Sequence, residues 1–164
     1  MLLNSLTYLT IYAAVLLYGL ALACRLYAFD GRLDAMARLV WTLGCLFYLT
    51  HVACAFEVFY QWSHAVAYRE TERQTAAMIE GATGAGIYWN YVFTAIWVLD
   101  VVAWWWRGLA VYRARSRWVT IAVQGFMAFM VFNGAVVFAK GNFRYAAAMM
   151  TVVLLGLAVR RLRK

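Results

Sequence analysis

Residues 4–27 read NSLTYLTIYAAVLLYGLALACRLY, a run whose single charged side chain is Arg25, near its end. A helix of ~20 apolar residues is long enough to cross the hydrocarbon core of a bilayer. Four more apolar blocks follow, at about residues 38–66, 87–106, 118–139 and 145–159. The sequence therefore predicts an all-α, polytopic integral membrane protein, with five transmembrane helices forming one bundle and one domain over residues 1–164.

The composition supports this interpretation. Hydrophobic residues make up 66% of the chain and charged residues only 13%, against ~25% charged in soluble domains. The net charge of +8 would indicate nucleic-acid binding in a soluble protein. Here the arginines flank the apolar blocks, where anionic lipid headgroups lie. We therefore expect the lipid bilayer as a partner and expect no binding of nucleic acid.

The basic residues of loops and tails are divided unequally between the two sides of the predicted bundle. One side carries eleven of them: Arg25, Arg32, Arg38, Arg107, Arg113, Arg115, Arg117, Arg160, Arg161, Arg163 and Lys164. The other side carries four: Arg69, Arg73, Lys140 and Arg144. Because cytoplasmic loops are richer in Lys and Arg, we predict that the N-terminus lies outside and the C-terminus in the cytoplasm. The predicted location is the cell inner (plasma) membrane.

Three features of the sequence predict the shape of the helices and of their connections. The chain has no proline, which is the commonest cause of sharp helix kinks, so we predict fairly straight helices. The longest connection is an outer loop at residues 69–86, whose glycine-rich end predicts a flexible entry into the third helix. Lys140, Gly141 and Asn142 predict a tight turn between the last two helices.

Helix two carries the most site-like pattern in the sequence. At 100° per residue, Glu57, Gln61, His64 and Tyr68 fall on one stripe, because their spacings of four, three and four keep one side. The stripe is a candidate ligand-binding set or proton relay near the outer surface. The alternative is a hydrogen-bonded contact between helices. In both cases we expect it to face protein or a cofactor, since lipid cannot satisfy these groups.

His51 lies deeper in the same helix, ~20 Å from its cytoplasmic end at 1.5 Å per residue. Thirteen residues separate His51 from His64, which places the two rings ~140° apart, so they cannot bind one haem together. His51 is therefore a candidate single axial ligand for a haem or chlorophyll-type pigment. The alternative is a buried neutral histidine that is hydrogen-bonded to Thr94 or Asn133.

Asp100 is a candidate intramembrane carboxyl, ~9 Å from the cytoplasmic end of the third helix. An ionisable group at such a depth is expensive, so we predict that Asp100 faces protein and is hydrogen-bonded. Gln124 lies at a similar depth on the fourth helix and is the predicted partner. A role in handling protons is the alternative.

No Ser-His-Asp set, H-E-x-x-H pattern, Walker loop or paired-cysteine ligand set is present. We therefore predict no enzyme activity, no catalytic residue and no metal site, and leave the cofactor unknown. The first functional hypothesis is a non-catalytic accessory or assembly subunit of a larger membrane complex, with other membrane subunits as partners. The alternative is a membrane redox or proton-handling protein that binds haem, quinone or a chlorophyll-type pigment near helix two. A small transporter or channel ranks third.

Overall fold

The computed structural model describes residues 2–27, 31–139 and 141–162, and those residues contain helices and turns but no strand. Six α-helices follow one another: α1 Leu2–Tyr27, α2 Gly31–Ala55, α3 His64–Ala76, α4 Gly86–Arg113, α5 Arg117–Phe132 and α6 Asn142–Leu162. A π-helical segment extends α2 over Phe56–Tyr60, and a second extends α5 over Asn133–Val137. Of the predicted turn at 140–142, Lys140 lies outside the described residues, as do Arg163 and Lys164 of the basic tail.

Five helical stretches of the described chain are long and apolar enough to cross a membrane: Leu2–Leu26, Arg32–Tyr60, Gly86–Arg113, Arg117–Val137 and Asn142–Arg160. Each coincides with one of the five apolar blocks of the sequence. The predicted fold class, an all-helical multi-pass membrane protein with five spans, is thereby confirmed. α3 is the exception among the helices, since it is short and polar and connects the second span to the third.

The second span ends earlier than predicted. Gln61 and Trp62 have φ angles of 49° and 55°, so the chain leaves the helix after Tyr60. Ser63 then caps a new helix, because its side chain accepts a hydrogen bond from the Val66 amide. The prediction of one helix over residues 38–66 is wrong here, because two left-handed residues end a helix as effectively as a proline.

A second break lies inside α4. Gly108 has φ 74° and ψ 169°, a conformation that only glycine adopts readily. The helix therefore runs straight up to Arg107, changes direction, and adds a short helical return that ends at Arg113. The expectation of straight helices, drawn from the absence of proline, is wrong at this point also. The predicted helix 87–106 corresponds to the straight part alone.

The tightest packing joins α1, α2 and α4. Trp41 and Trp97 are almost completely buried, and their ring centroids lie 5.2 Å apart. Tyr18 of α1 packs against both rings, and Gly44 of α2 leaves room for the Trp97 ring, which a Cβ would meet at 3.1 Å. This aromatic core fixes the first three spans against one another. α5 and α6 lie to one side of it, and fewer of their residues are buried.

Candidate functional site

One end of the bundle, here called the tyrosine-rich end, holds Tyr60, Tyr68, Tyr88, Tyr91 and His64. The His64 Nδ1 atom lies 2.9 Å from the Tyr91 hydroxyl, and the His64 ring also lies near the rings of Tyr68 and Tyr88. This group joins α3 to the start of α4. The contacts of His64 and Tyr68 are with protein side chains, which is one of the two surroundings expected for the stripe.

The four stripe residues do not form one continuous surface. Glu57 accepts a hydrogen bond of 2.7 Å from the Trp62 indole, and Gln61 occupies the left-handed position that ends the π-helical segment. The break at that position moves His64 and Tyr68 onto α3. The predicted single stripe is wrong, since it assumed one unbroken helix, and the described partner of Glu57 is the Trp62 indole.

The glycine-rich end of the 69–86 connection packs closely against α3. A Cβ at Gly84 would overlap the backbone carbonyl oxygen and the ring of Tyr68, and one at Gly86 would lie 3.1 Å from the Thr71 methyl group. These glycines therefore permit close approach between α3 and the chain that enters α4. The prediction of a merely flexible entry is corrected accordingly.

His51 lies within the bundle, and its Nδ1 atom is 2.9 Å from the Thr7 carbonyl oxygen of α1. Because a carbonyl oxygen only accepts hydrogen bonds, Nδ1 carries the hydrogen. In the neutral ring, Nε2 then presents a lone pair. The predicted partners are wrong: the Thr94 hydroxyl pairs with the Tyr48 hydroxyl at 3.3 Å, and Asn133 donates to the Phe129 carbonyl.

A cavity of about 450 Å³ lies beside His51. Its walls are mainly aromatic and aliphatic, and a few polar side chains reach it. The aromatic members include Tyr48, Phe93, Trp97, Phe129 and Phe138, and the polar members include Asn90, Thr94 and Asn133. A concave apolar site with a few convergent polar groups is the usual form of a cofactor or small-molecule pocket.

Among the described residues, no group of three His, Cys, Asp or Glu side chains is arranged to hold a metal ion. A metal bound at His51 would therefore need a carrier that supplies its other ligands. A tetrapyrrole would supply those ligands itself, and His51 could hold such a group through Nε2. The bond from Nδ1 to a carbonyl is also the usual way in which proteins orient a metal-binding imidazole.

No family model, curated protein or solved structure matches this chain.

Asp100 lies near the opposite end of the bundle, here called the arginine-rich end, with Arg25, Asp34, Arg113 and Arg115. Its side chain is 5% exposed. Arg115 donates to one carboxylate oxygen at 2.5 Å. The prediction that Asp100 faces protein and is hydrogen-bonded is confirmed. The contact with Arg115 is a buried ion pair within the chain.

The predicted partner of Asp100, Gln124, is wrong. Tyr112 donates to the second carboxylate oxygen at 2.7 Å, and it reaches Asp100 because the chain changes direction at Gly108. The Tyr112 ring also stacks on Trp104, with centroids 4.2 Å apart and planes 2° from parallel. Tyr112 is a site residue that was not predicted from the sequence. Gly108, which follows Arg107 at the end of the predicted third helix, was the sequence feature that indicated a change of chain direction.

Further contacts complete the arginine-rich end. The Arg25 guanidinium lies 5.5 Å from the Trp104 ring centroid and 5.6 Å from that of Tyr112, within the range of cation–π attraction. Arg113 of α4 forms an ion pair with Asp34 of α2. Among the described residues, three arginines and two aspartates thus lie together beside a second cavity of about 880 Å³.

Proposed function

We propose that the chain is a redox or proton-handling membrane protein that holds a flat, ring-containing cofactor in the cavity beside His51. Haem, a chlorophyll-type pigment and a quinone are the members of this class. The observation that carries the proposal is the bond between His51 Nδ1 and the Thr7 carbonyl, since it leaves Nε2 with a lone pair. Aromatic side chains around the cavity offer surfaces against which a flat ring packs favourably.

The same lone pair serves either kind of cofactor. In a tetrapyrrole, Nε2 would be the axial ligand of the central metal. With a quinol, Nε2 would accept a hydrogen bond, and then a proton, from a ring hydroxyl. In both cases the Thr7 carbonyl fixes the orientation of the His51 ring, and the carbonyl itself neither gains nor loses a proton.

The absorption spectrum of the protein purified in mild detergent tests the proposal, together with chromatography of an organic extract for quinone. We expect a Soret or chlorophyll band, or one quinone per chain, in the wild-type protein. His51→Ala should abolish the band or the bound quinone, whereas His64→Ala is the matched control and should retain it. Absence of both cofactors, or equal retention by the two variants, would overturn the proposal.

A second candidate function is that of a non-catalytic accessory or assembly subunit of a larger membrane complex. It is favoured by the unequal burial of the spans. In an 18-residue window of each span, 39% of the residues are buried within the chain in the first span, against 11% in the fourth and 6% in the last. Packing between helices, and not apolar burial, holds spans together in lipid. Two loosely packed spans are therefore candidate contacts for another subunit.

A native gel of the tagged chain, expressed at its natural level, tests this second function. We expect a complex larger than the single chain. Val152→Trp on the exposed face of α6 should release the free chain, whereas Leu16→Trp on the exposed face of α1 should not. Migration as a single chain in every case would refute the subunit function.

We further propose that the protein resides in the inner (plasma) membrane with its N-terminus outside and its arginine-rich end in the cytoplasm. The excess of eleven basic residues over four supports this orientation. A C-terminal green fluorescent protein should fluoresce, and a C-terminal alkaline phosphatase should be inactive. The reverse pair of results would refute the orientation.

A further inference from the structure

The two π-helical segments border one cavity, the one beside His51. Residues from both segments line it: Phe56 and Tyr60 from the first, and Asn133, Gly134 and Ala135 from the second. π-helical turns are rare, and they are found frequently at functional sites. Their shared position at this cavity favours a binding site there.

The polar lining of the cavity is uncharged. Among the described residues that line it there is no Asp, Glu, Lys or Arg, and its polar groups are amides, hydroxyls, indoles and the His51 imidazole. Haem carries ionised propionate groups, and a buried charge is costly unless it is paired. The lining therefore favours a ligand without charge.

The hydrogen bonds around His51 determine what the ligand has to offer. The Thr94 hydroxyl donates to the Asn90 carbonyl, so the Tyr48 hydroxyl is the donor in its contact with Thr94. These two hydroxyl hydrogens are thus already used, and His51 Nε2 needs a hydrogen from the ligand. The Trp97 indole, by contrast, is a buried donor without an acceptor in the described part of the chain. Because buried polar groups are nearly always hydrogen-bonded, a ligand that both donates and accepts is required.

The acceptor and the donor lie at different levels of the bundle. α2 and α4 run in opposite directions, and the contact between Tyr48 and Thr94 marks a level that they share. His51 lies three residues beyond Tyr48 towards the tyrosine-rich end, and Trp97 lies three residues beyond Thr94 towards the arginine-rich end. At 1.5 Å per residue, the two backbone positions are ~9 Å apart along the bundle. Two hydroxyl groups at opposite ends of one aromatic ring, each with a hydrogen bond of ~2.8 Å, span a distance of this order.

The cavity also reaches the lipid-facing surface where α4 and α5 meet. Trp89 of α4 and Phe129 of α5 both line it, and they are 59% and 62% exposed. Both residues belong to candidate membrane spans, so their exposed surfaces face the hydrocarbon of the bilayer. A ligand with a polar ring and a long apolar tail can therefore leave its tail in the lipid.

We propose that the cavity beside His51 binds an isoprenoid quinol, the reduced and uncharged form of a membrane quinone. One ring hydroxyl donates to His51 Nε2, the opposite hydroxyl oxygen accepts from the Trp97 indole, and the tail leaves between Trp89 and Phe129. The oxidised quinone has no hydrogen to give to His51, so it binds more weakly. This inference rests on the function proposed above, because it names one member of the cofactor class for that cavity.

Anaerobic isothermal titration calorimetry of the full-length protein, purified in mild detergent, tests the inference with decylubiquinol and decylubiquinone as probes. The two probes share the substituted ring and the tail, and they differ in the hydroxyl hydrogens. We expect one decylubiquinol per chain and about tenfold weaker binding of decylubiquinone, the loss expected for one missing hydrogen bond in a buried site.

The outcomes separate this inference from the proposed function. Equal affinities for the two probes would overturn the preference for the quinol and leave the proposed function in place. A haem or chlorophyll band that His51→Ala abolishes, in a protein that binds neither probe, would do the same. Absence of any such band together with absence of quinol binding would overturn both.

Two variants and one matched control locate the hydrogen bonds. Trp97→Phe removes the indole donor and should weaken decylubiquinol binding about tenfold. Trp41→Phe is the control, because the Trp41 indole is also buried without a partner in the described residues but does not line the cavity, and its affinity should be unchanged. His51→Phe keeps a ring and removes the acceptor, so it should bind the two probes with equal affinity. Circular dichroism verifies that each variant is folded. Equal losses in Trp97→Phe and Trp41→Phe, or a preference for the quinol that persists in His51→Phe, would refute the assignment.

Discussion

The ion pair between Asp100 and Arg115 should make a large contribution to the free energy of unfolding. Its two side chains are 5% and 17% exposed. Removing one member of a buried pair typically costs ~3–5 kcal/mol, because the other charge is left without compensation. Arg115 retains some exposure, so we expect about 3 kcal/mol for Asp100→Asn and a similar loss for Arg115→Gln. The double variant leaves no isolated charge and should lose about 3 kcal/mol in all, well short of the sum of the two single losses.

Equilibrium unfolding in mixed micelles, followed by tryptophan fluorescence, gives the free energies for this double-mutant cycle. Tyr112→Phe is the control within the cluster. It keeps the ring that stacks on Trp104 and removes one hydrogen bond to the carboxylate, which costs roughly 1.5 kcal/mol, the lower end of the range for a bond to a charged group. Additive losses in the double variant would refute the reasoning, as would a loss in Tyr112→Phe as large as that in Asp100→Asn.

Three further predictions concern the connections. Gly108→Ala should lower the free energy of unfolding by ~1–3 kcal/mol, because its backbone conformation is nearly restricted to glycine, whereas Gly125→Ala in the same assay should cause no loss. Gly84→Ala should cost ~1–3 kcal/mol by overpacking against α3, and a melting temperature equal to that of the wild type would contradict the close contact seen there. Hydrogen bonds within α3, chiefly from Arg73, lower the pKa of Glu70 from 4.5 to about 2. A carboxyl whose pKa is lowered by folding stabilises the protein above its ordinary pKa and loses that effect as the pH falls through the folded value. The small difference in stability between the wild-type protein and Glu70→Gln should therefore be present at pH 7 and fade between about pH 4.5 and 2. A constant difference across that interval would exclude the ion pair as its cause.

The five spans could be predicted because span length and apolar composition are properties of each segment alone. The ends of the spans could not be predicted as well. They depend on positive φ angles at Gln61, Trp62 and Gly108. None of these residues is a proline, so the absence of proline did not reveal the breaks. Ser63 is a preferred helix-capping residue, and it was the best available sign that a new helix begins there.

The candidate site residues were likewise predictable only in part. Burial and pairing of Asp100 follow from the cost of an isolated carboxyl, so the sequence predicts them. The identity of its partners follows from a change of chain direction that spacing along a straight helix cannot reveal. For His51 the partner is a backbone carbonyl of α1. Every residue carries the same backbone carbonyl, so side-chain type gave no information about which carbonyl His51 contacts.

The order of residues around Asp100 has a consequence for biosynthesis. Both of its partners, Tyr112 and Arg115, follow it in the chain by no more than fifteen residues. At ~5–20 residues per second, the ribosome supplies them within about 1–3 s of Asp100 itself. The carboxylate is therefore neutralised by its own hairpin, before α5 and α6 have been made. The third span can enter the bilayer as a unit that carries its own counter-charge, without waiting for a later helix.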